Sequence, residues 1–108
     1  MEYCIVLTTC PNDEEAKTLA SKLLEKNLAA CVQLSSITSY YNWKGITHAD
    51  PEIRLVIKTR ARRYESVEQF IKKNHSYDVP QIVQIPITDG SDEFLDWMDE
   101  ATPDQISG

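Results

Sequence analysis

Glycine is nearly missing from this chain: three residues in 108, none beside another, which leaves no Gly-rich phosphate loop and no flexible linker. Cysteine is equally sparse. Cys4, Cys10 and Cys31 are an odd number with no C-x-x-C pair, which argues against a disulfide framework and a zinc ribbon and for reduced thiols. Cys4 and Cys10 are six residues apart on one predicted strand, about 20 Å by strand rise, so they cannot share a metal within one chain. No long apolar run is present, and the first residues lack the basic region and apolar core of a signal peptide, so no membrane association and a cytoplasmic location are expected. There is also no G-x-S-x-G, no H-E-x-x-H and no paired histidine, so an enzyme is not expected. Any catalytic site would have to be built across subunits.

Positive charge is absent from residues 89–108, which hold seven acids. The first 88 residues then carry eleven basic against ten acidic side chains, a balance of +1 within the overall −6. Arg54, Lys58, Arg60, Arg62 and Arg63 crowd into ten positions. Few aromatics interleave with them and the pI is about 4.8, so the run predicts neutralisation by the acidic C-terminal segment rather than nucleic-acid binding.

The remaining composition, 42% apolar and 26% charged, is that of one globular domain spanning 1–108, with an acidic polar tail from about residue 102. Tyr3 to Thr9 reads as a strand buried on both faces. Asn12 with Glu15 three residues on reads as a capping arrangement, followed by Ala16, Leu19, Ala20, Leu23 and Leu24 at helical spacing. Asn27 is suited to the left-handed position that ends this helix, with Leu28 folding back on Leu23. Residues 30–43 form one overlong strand, and Lys44-Gly45 turns the chain. Glu52 to Thr59 returns with Ile53, Leu55 and Ile57 on one face and Arg54, Val56 and Lys58 on the other. A helix over 62–74 places His75 one turn beyond Ile71. Ile82 to Ile87 is the fourth strand, and Pro86, which has no N–H, puts it at an edge. Ser91 to Ala101 is an amphipathic C-terminal helix.

The order βαββαβ plus a final helix predicts an α+β, ferredoxin-like antiparallel sheet with an extended β2-β3 hairpin and both main helices on one face. The hairpin tip, Tyr40, Tyr41 and Trp43, exposes too much apolar area for a monomer, so a subunit interface is the economical reading and a stacking platform for a ligand the lesser one. His48, in the turn after the tip, reads as solvent-exposed. Glu52, Arg54 and Lys58 share strand parity, either as an interface salt-bridge row or as a polar cleft for an anion. Cys31 reads as a small buried hydrophobe or a soft metal ligand. His75 reads as a cleft residue with Tyr77 and Asp78, or as a cation at the negative end of a helix dipole.

Four blocks carry a resemblance: Leu28 to Val32, Ser39 to Gly45, Glu52 to Thr59, and His75 to Pro80. In this order and spacing the chain resembles the CutA divalent-cation-tolerance proteins over roughly residues 3–98. The resemblance implies a PII-like homotrimer that binds a divalent metal, especially copper, without an established catalytic reaction. Together with their placement at a helix end and on one strand face, it points to a ligand cleft at Glu52, Lys58, His75 and Tyr77; by residue chemistry Cys31 and His75 are the best soft and borderline metal ligands in the chain, and by exposed apolar area Tyr40, Tyr41 and Trp43 are the expected trimer interface. Two positions depart from the family pattern: Ser76 stands where proline is usual, and no second histidine adjoins His75. Two other functions stay open, a PII-like sensor of a small anionic ligand at inter-subunit clefts and a structural trimeric scaffold for a partner protein.

Overall fold

The computed structural model describes residues 2–104. Eight residues, Tyr3–Cys10, form β1; Asp13–Glu25 form α1; Cys31–Trp43 and Ile46–Arg60 form β2 and β3. A 3-10 turn at Ala61–Arg63 leads into α2 (Tyr64–Asn74), then β4 (Val83–Ile87) and α3 (Asp92–Ala101). The sheet is antiparallel in the order β2-β3-β1-β4. The apolar run of β1 therefore sits between two partners, and Pro86 lies on an edge strand.

Strand alternation divides the sheet into two faces. One carries Cys4, Val6, Cys10, Ile53, Leu55 and Ile57, which pack with Ala16, Leu19 and Leu23 of α1 and Val67 and Ile71 of α2 in a single core. Burying each large aliphatic side chain there contributes about 1.5–3 kcal/mol. The opposite face is partly covered by α3: Lys58 Nζ stands 5.3 Å over the Phe94 ring, and the Tyr3 hydroxyl donates to Asp99 at 3.0 Å. Val83, Ile85, Phe94 and Trp97 remain about two-fifths exposed on this side.

Local chemistry fixes the helix ends. The Asn12 side chain accepts the Glu15 N–H at 2.9 Å, and Ser91 does the same for Phe94 at 3.3 Å. Asn27 adopts φ 58°, and the Leu28 and Asn27 amides donate to the Leu23 and Leu24 carbonyls at 2.9 and 3.0 Å. This is the Schellman closure the sequence predicts. Asn27→Val is expected to destabilise the fold by about 1–2 kcal/mol, because a β-branched residue resists positive φ. Asn27→Gly should be nearly neutral, and urea midpoints of the two variants check the difference.

Two boundaries differ from the sequence reading. β3 begins at Ile46 rather than Glu52, because Pro51 lies where β3 pairs only with β2, so its missing N–H faces a free edge. Beyond the Cys10–Ile53 rung, β2 and β3 continue as a two-stranded ribbon closed at Lys44 and Gly45, both at positive φ as a tight hairpin turn requires. The polar tail also starts later than residue 102. Thr102 is fully buried, donating to the Met98 carbonyl at 2.6 Å and accepting from Arg60 Nε at 3.0 Å.

The crowded arginines are held by this same segment. Arg60 reaches Asp99 at 3.4 Å, Arg62 pairs with Asp104, and buried Arg63 donates to the Pro103 carbonyl. Positive charge at the end of β3 and on the 3-10 turn thus anchors α3 and the residues that follow it.

Candidate functional site

The topology brings three chain ends together at one edge of the core. Because β1 and β3 are antiparallel, α1 starts and α2 finishes at the same end of the sheet, where β1 also ends. Cys10 closes β1, Glu15 lies in the first turn of α1, and His75 caps α2. His75 is extended at φ −92° and ψ 143°, which turns its side chain inward until no part of it is exposed.

The imidazole is held through both nitrogens. Nε2 stands 2.6 Å from the Thr9 carbonyl and must donate to it; Nδ1 accepts the Tyr77 amide at 3.0 Å. These partners define the neutral Nε2–H tautomer. Cys10 Sγ is 4.0 Å from Nε2, and Glu15 Oε2 is 3.7 Å from Nδ1. Glu15 Oε2 is buried and has no hydrogen-bond partner. Burial, then the Glu15 and Glu52 charges, push the Cys10 thiol up to about 12, so it is protonated at neutral pH.

In front of this cluster lies an open cleft of about 640 Å³ between the ribbon and the loop after α2. Its walls include Tyr40, Tyr41, Trp43, Tyr77, Glu52 and Asp78. The Tyr77 hydroxyl donates to Glu52 at 2.9 Å and its ring lies 4.8 Å from that of His75. Burial and the Glu52 carboxylate raise the Tyr77 phenol well above its ordinary range. Tyr41 donates to Asp50 at 2.7 Å and stacks on His48 at 5.1 Å, so His48 is half-buried rather than exposed as its place in the sequence suggested.

Of the residues singled out by sequence, Glu52, His75 and Tyr77 converge and Lys58 does not. Lys58 lies six residues along β3 from Glu52, about 20 Å by strand rise, with its ammonium over Phe94. Cys31 and His75 are also apart. Cys31 pairs with Lys58 across the β2–β3 ladder, whereas the Thr9 carbonyl that holds His75 lies at the Arg54 rung. Four residues of β3, about 13 Å, separate the two rungs. Half-buried Cys31 therefore shares no site with His75 within the chain. Tyr40, Tyr41 and Trp43 are 77%, 42% and 46% exposed.

The donor set that does gather is Cys10, Glu15 and His75, whose ligand atoms all lie within 4.8 Å of one another. Around a four-coordinate zinc-like ion, bonds of about 2.0–2.3 Å place neighbouring donors about 3.3–3.8 Å apart, so a contraction of about 1 Å suffices. Thiolate, imidazole and carboxylate are suitable ligands for a borderline divalent ion, and the orphaned Glu15 oxygen is a place for positive charge. Sequence reasoning passed over Cys10 and Glu15. Their signal is topological: a Cys at the end of β1 and an acid in the first turn of α1 must meet the end of α2 in this fold.

A 2-3-1-4 antiparallel sheet with two helices on one face and a polar cleft at the end of β1 defines a ferredoxin-like, PII-like α+β protein. The family model described as CutA1 divalent ion tolerance protein matches residues 4–101, and the chain belongs to that family. It is 44% identical over 95 residues to the divalent-cation tolerance protein CutA of Archaeoglobus fulgidus, covering 88% of this chain and 93% of the relative. To the Thermus thermophilus protein of the same description it is 41% identical over 99 residues, 91% of this chain and 96% of the relative. The chloroplastic CutA of Arabidopsis thaliana is 41% identical over 91% of this chain, but the chain spans only about half of that protein, 54%. The solved structure described as the periplasmic divalent cation tolerance protein CutA of Archaeoglobus fulgidus superposes with a TM-score of 0.92 at 42% identity, covering 94% of this chain and 99% of that one. CutA1 of Oryza sativa gives 0.92 at 36% identity, with 97% of each chain covered.

Proposed function

We propose that the protein is a homotrimeric, cytoplasmic binder of a divalent transition-metal ion, copper foremost, and that it binds rather than turns over a substrate. The observation that carries this reading is the charge of the cleft. Glu52 and Asp78 are carboxylates on its walls, its other lining side chains are aromatic, apolar or neutral, and no Lys or Arg lines it. Such a site attracts cations and repels anions. A sensor of a small anion is correspondingly disfavoured, since of the two cations that reading uses Lys58 stands at the other end of the strand and Arg54 is not among the residues that line the cleft. Relatives described as divalent-cation tolerance proteins agree with a cation as the ligand.

Calorimetric titration tests this directly. Cu²⁺ or Zn²⁺ should give a saturable isotherm with the intact protein, while phosphate and a dicarboxylate should give none. Saturable anion binding without a response to either metal would reverse the assignment.

A further inference from the structure

The cleft explains why a cation approaches but not where it is held. Its two carboxylates are hard, exposed ligands, and Glu52 already accepts the Tyr77 hydroxyl. Behind Tyr77, the buried cluster offers chemistry the cleft lacks. Resting on the cation-binding reading above, we infer that the chain carries a metal site made of Cys10 Sγ, Glu15 Oε2 and one nitrogen of His75, selective for a borderline divalent ion such as Zn²⁺.

Three observations converge on it. The first is the donor geometry: no other group of three or more Cys, His, Asp or Glu ligands this close occurs among the described residues. The second is the orphaned oxygen. A carboxylate oxygen buried without a hydrogen-bond partner costs free energy, and the neutral imidazole offers it no proton, since Nδ1 is itself an acceptor, which leaves only the weak S–H donor of Cys10 nearby. A cation removes that cost. The third is access. Glu15 keeps 22% of its side chain exposed and, with Asn74, borders an open hollow of about 320 Å³ on the outer side of α1, a route that avoids the cleft.

Softness sets the selectivity. Ca²⁺ and Mg²⁺ are hard ions that take oxygen ligands, of which this set has one carboxylate, whereas Zn²⁺ accepts sulfur, nitrogen and oxygen with a water in the fourth position. On binding, the Cys10 sulfur gives its proton to solvent and bonds the metal as thiolate. His75 must also release a partner. If Nδ1 binds the ion, the Tyr77 amide loses its acceptor; if Nε2 binds it, the ring proton moves to Nδ1 and faces that same amide. Either way, the Tyr77 N–H reports occupancy.

Native mass spectrometry and calorimetry with Zn²⁺, under reducing conditions, test the site on the full chain. Wild type is expected to take up one Zn²⁺ per chain. Glu15→Gln and Cys10→Ala should each weaken it at least tenfold, with Cys31→Ser near wild type. In wild type the Tyr77 amide resonance should shift on saturation, and Co²⁺ should give the intense absorption of a thiolate-to-metal band. That band rests on wild type alone, so a Cys10→Ala chain that does not fold leaves the test intact. Tight Zn²⁺ binding that survives both Cys10→Ala and Glu15→Gln, or that is lost only in Glu52→Gln, overturns this site while cation binding stands. A wild type that takes up neither Zn²⁺ nor Cu²⁺ overturns both.

Discussion

At micromolar concentration the protein is expected to sediment at three times its 12.3 kDa chain mass, and Trp43→Ala is expected to shift that assembly toward monomer on dilution. The single chain has two features that closed symmetry would satisfy. From Glu52 back to Ile46, β3 has no second partner, so the ribbon presents unpaired N–H and C=O groups along both edges. Such edges invite pairing with another chain, and a closed ring of copies consumes them where an open one would aggregate. The tip adds Tyr40, Trp43 and Ile46, at 77%, 46% and 61% exposure, while Val83, Ile85, Phe94 and Trp97 leave a second apolar area on the open sheet face. Two separate apolar areas on one chain suit a head-to-tail contact, the kind that closes into a ring.

Truncating a buried aromatic anchor typically costs about 2 kcal/mol or more, roughly thirtyfold in each contact. A trimer repeats that loss at every interface. Sedimentation velocity over a hundredfold dilution series measures it, with Lys44→Ala as the control that keeps the tip's ring. A wild type that remains monomeric at micromolar concentration rejects the assembly, and a Trp43→Ala profile identical to wild type removes Trp43 from the interface.

Much of this fold was legible in the sequence because burial imposes period. The αL asparagine, the 3.6-residue stripe of α1, the alternation of Ile53, Leu55 and Ile57, and Pro86 at an edge are local demands of backbone and packing, and the structure meets each. Punctuation misled where context overrode it. Pro51 ends a strand in most settings but sits harmlessly on a free edge, and Thr102 looks like the first residue of a tail until Arg60 and the Met98 carbonyl are seen around its hydroxyl. The site was the least legible part. Strand parity correctly put Glu52 and Lys58 on one face, yet parity carries no information about distance along a strand. The Asn12–Glu15 pair shows the same limit. Asn12 caps the helix as expected, but the Glu15 carboxylate turns toward His75, a partner sixty residues away. Only the antiparallel arrangement of the two β-α units reveals that meeting.

Two thiols in the core make stability steeply dependent on alkaline pH. Cys4 and Cys10 are both fully buried, and burial raises them to about 11 and about 12, the latter with help from the Glu15 and Glu52 charges. In the unfolded chain both titrate near about 8.5. Between that value and the folded ones, the unfolded state has lost protons that the folded state still holds, so the slope of stability with pH is negative. The contribution is intact below about pH 8.5 and falls as pH rises toward 11. Each thiol costs about 1.4 kcal/mol per pH unit in this window, so two units above 8.5 the pair removes about 5 kcal/mol, a large part of the stability of a domain this size. The phenols of Tyr3, Tyr41, Tyr64 and Tyr77 are raised as well and act with the same sign above about pH 10. Urea midpoints at pH 7, 8.5, 9.5 and 10.5, with reductant and chelator and at fixed protein concentration, measure the fall. The double variant Cys4→Ala, Cys10→Ala begins less stable because it leaves two small cavities, yet its stability should stay nearly flat from pH 8.5 to 9.5 where wild type drops by about 2–3 kcal/mol. Equal slopes for the two proteins in that interval would show that the thiols ionise alike in both states and that their burial carries no electrostatic cost.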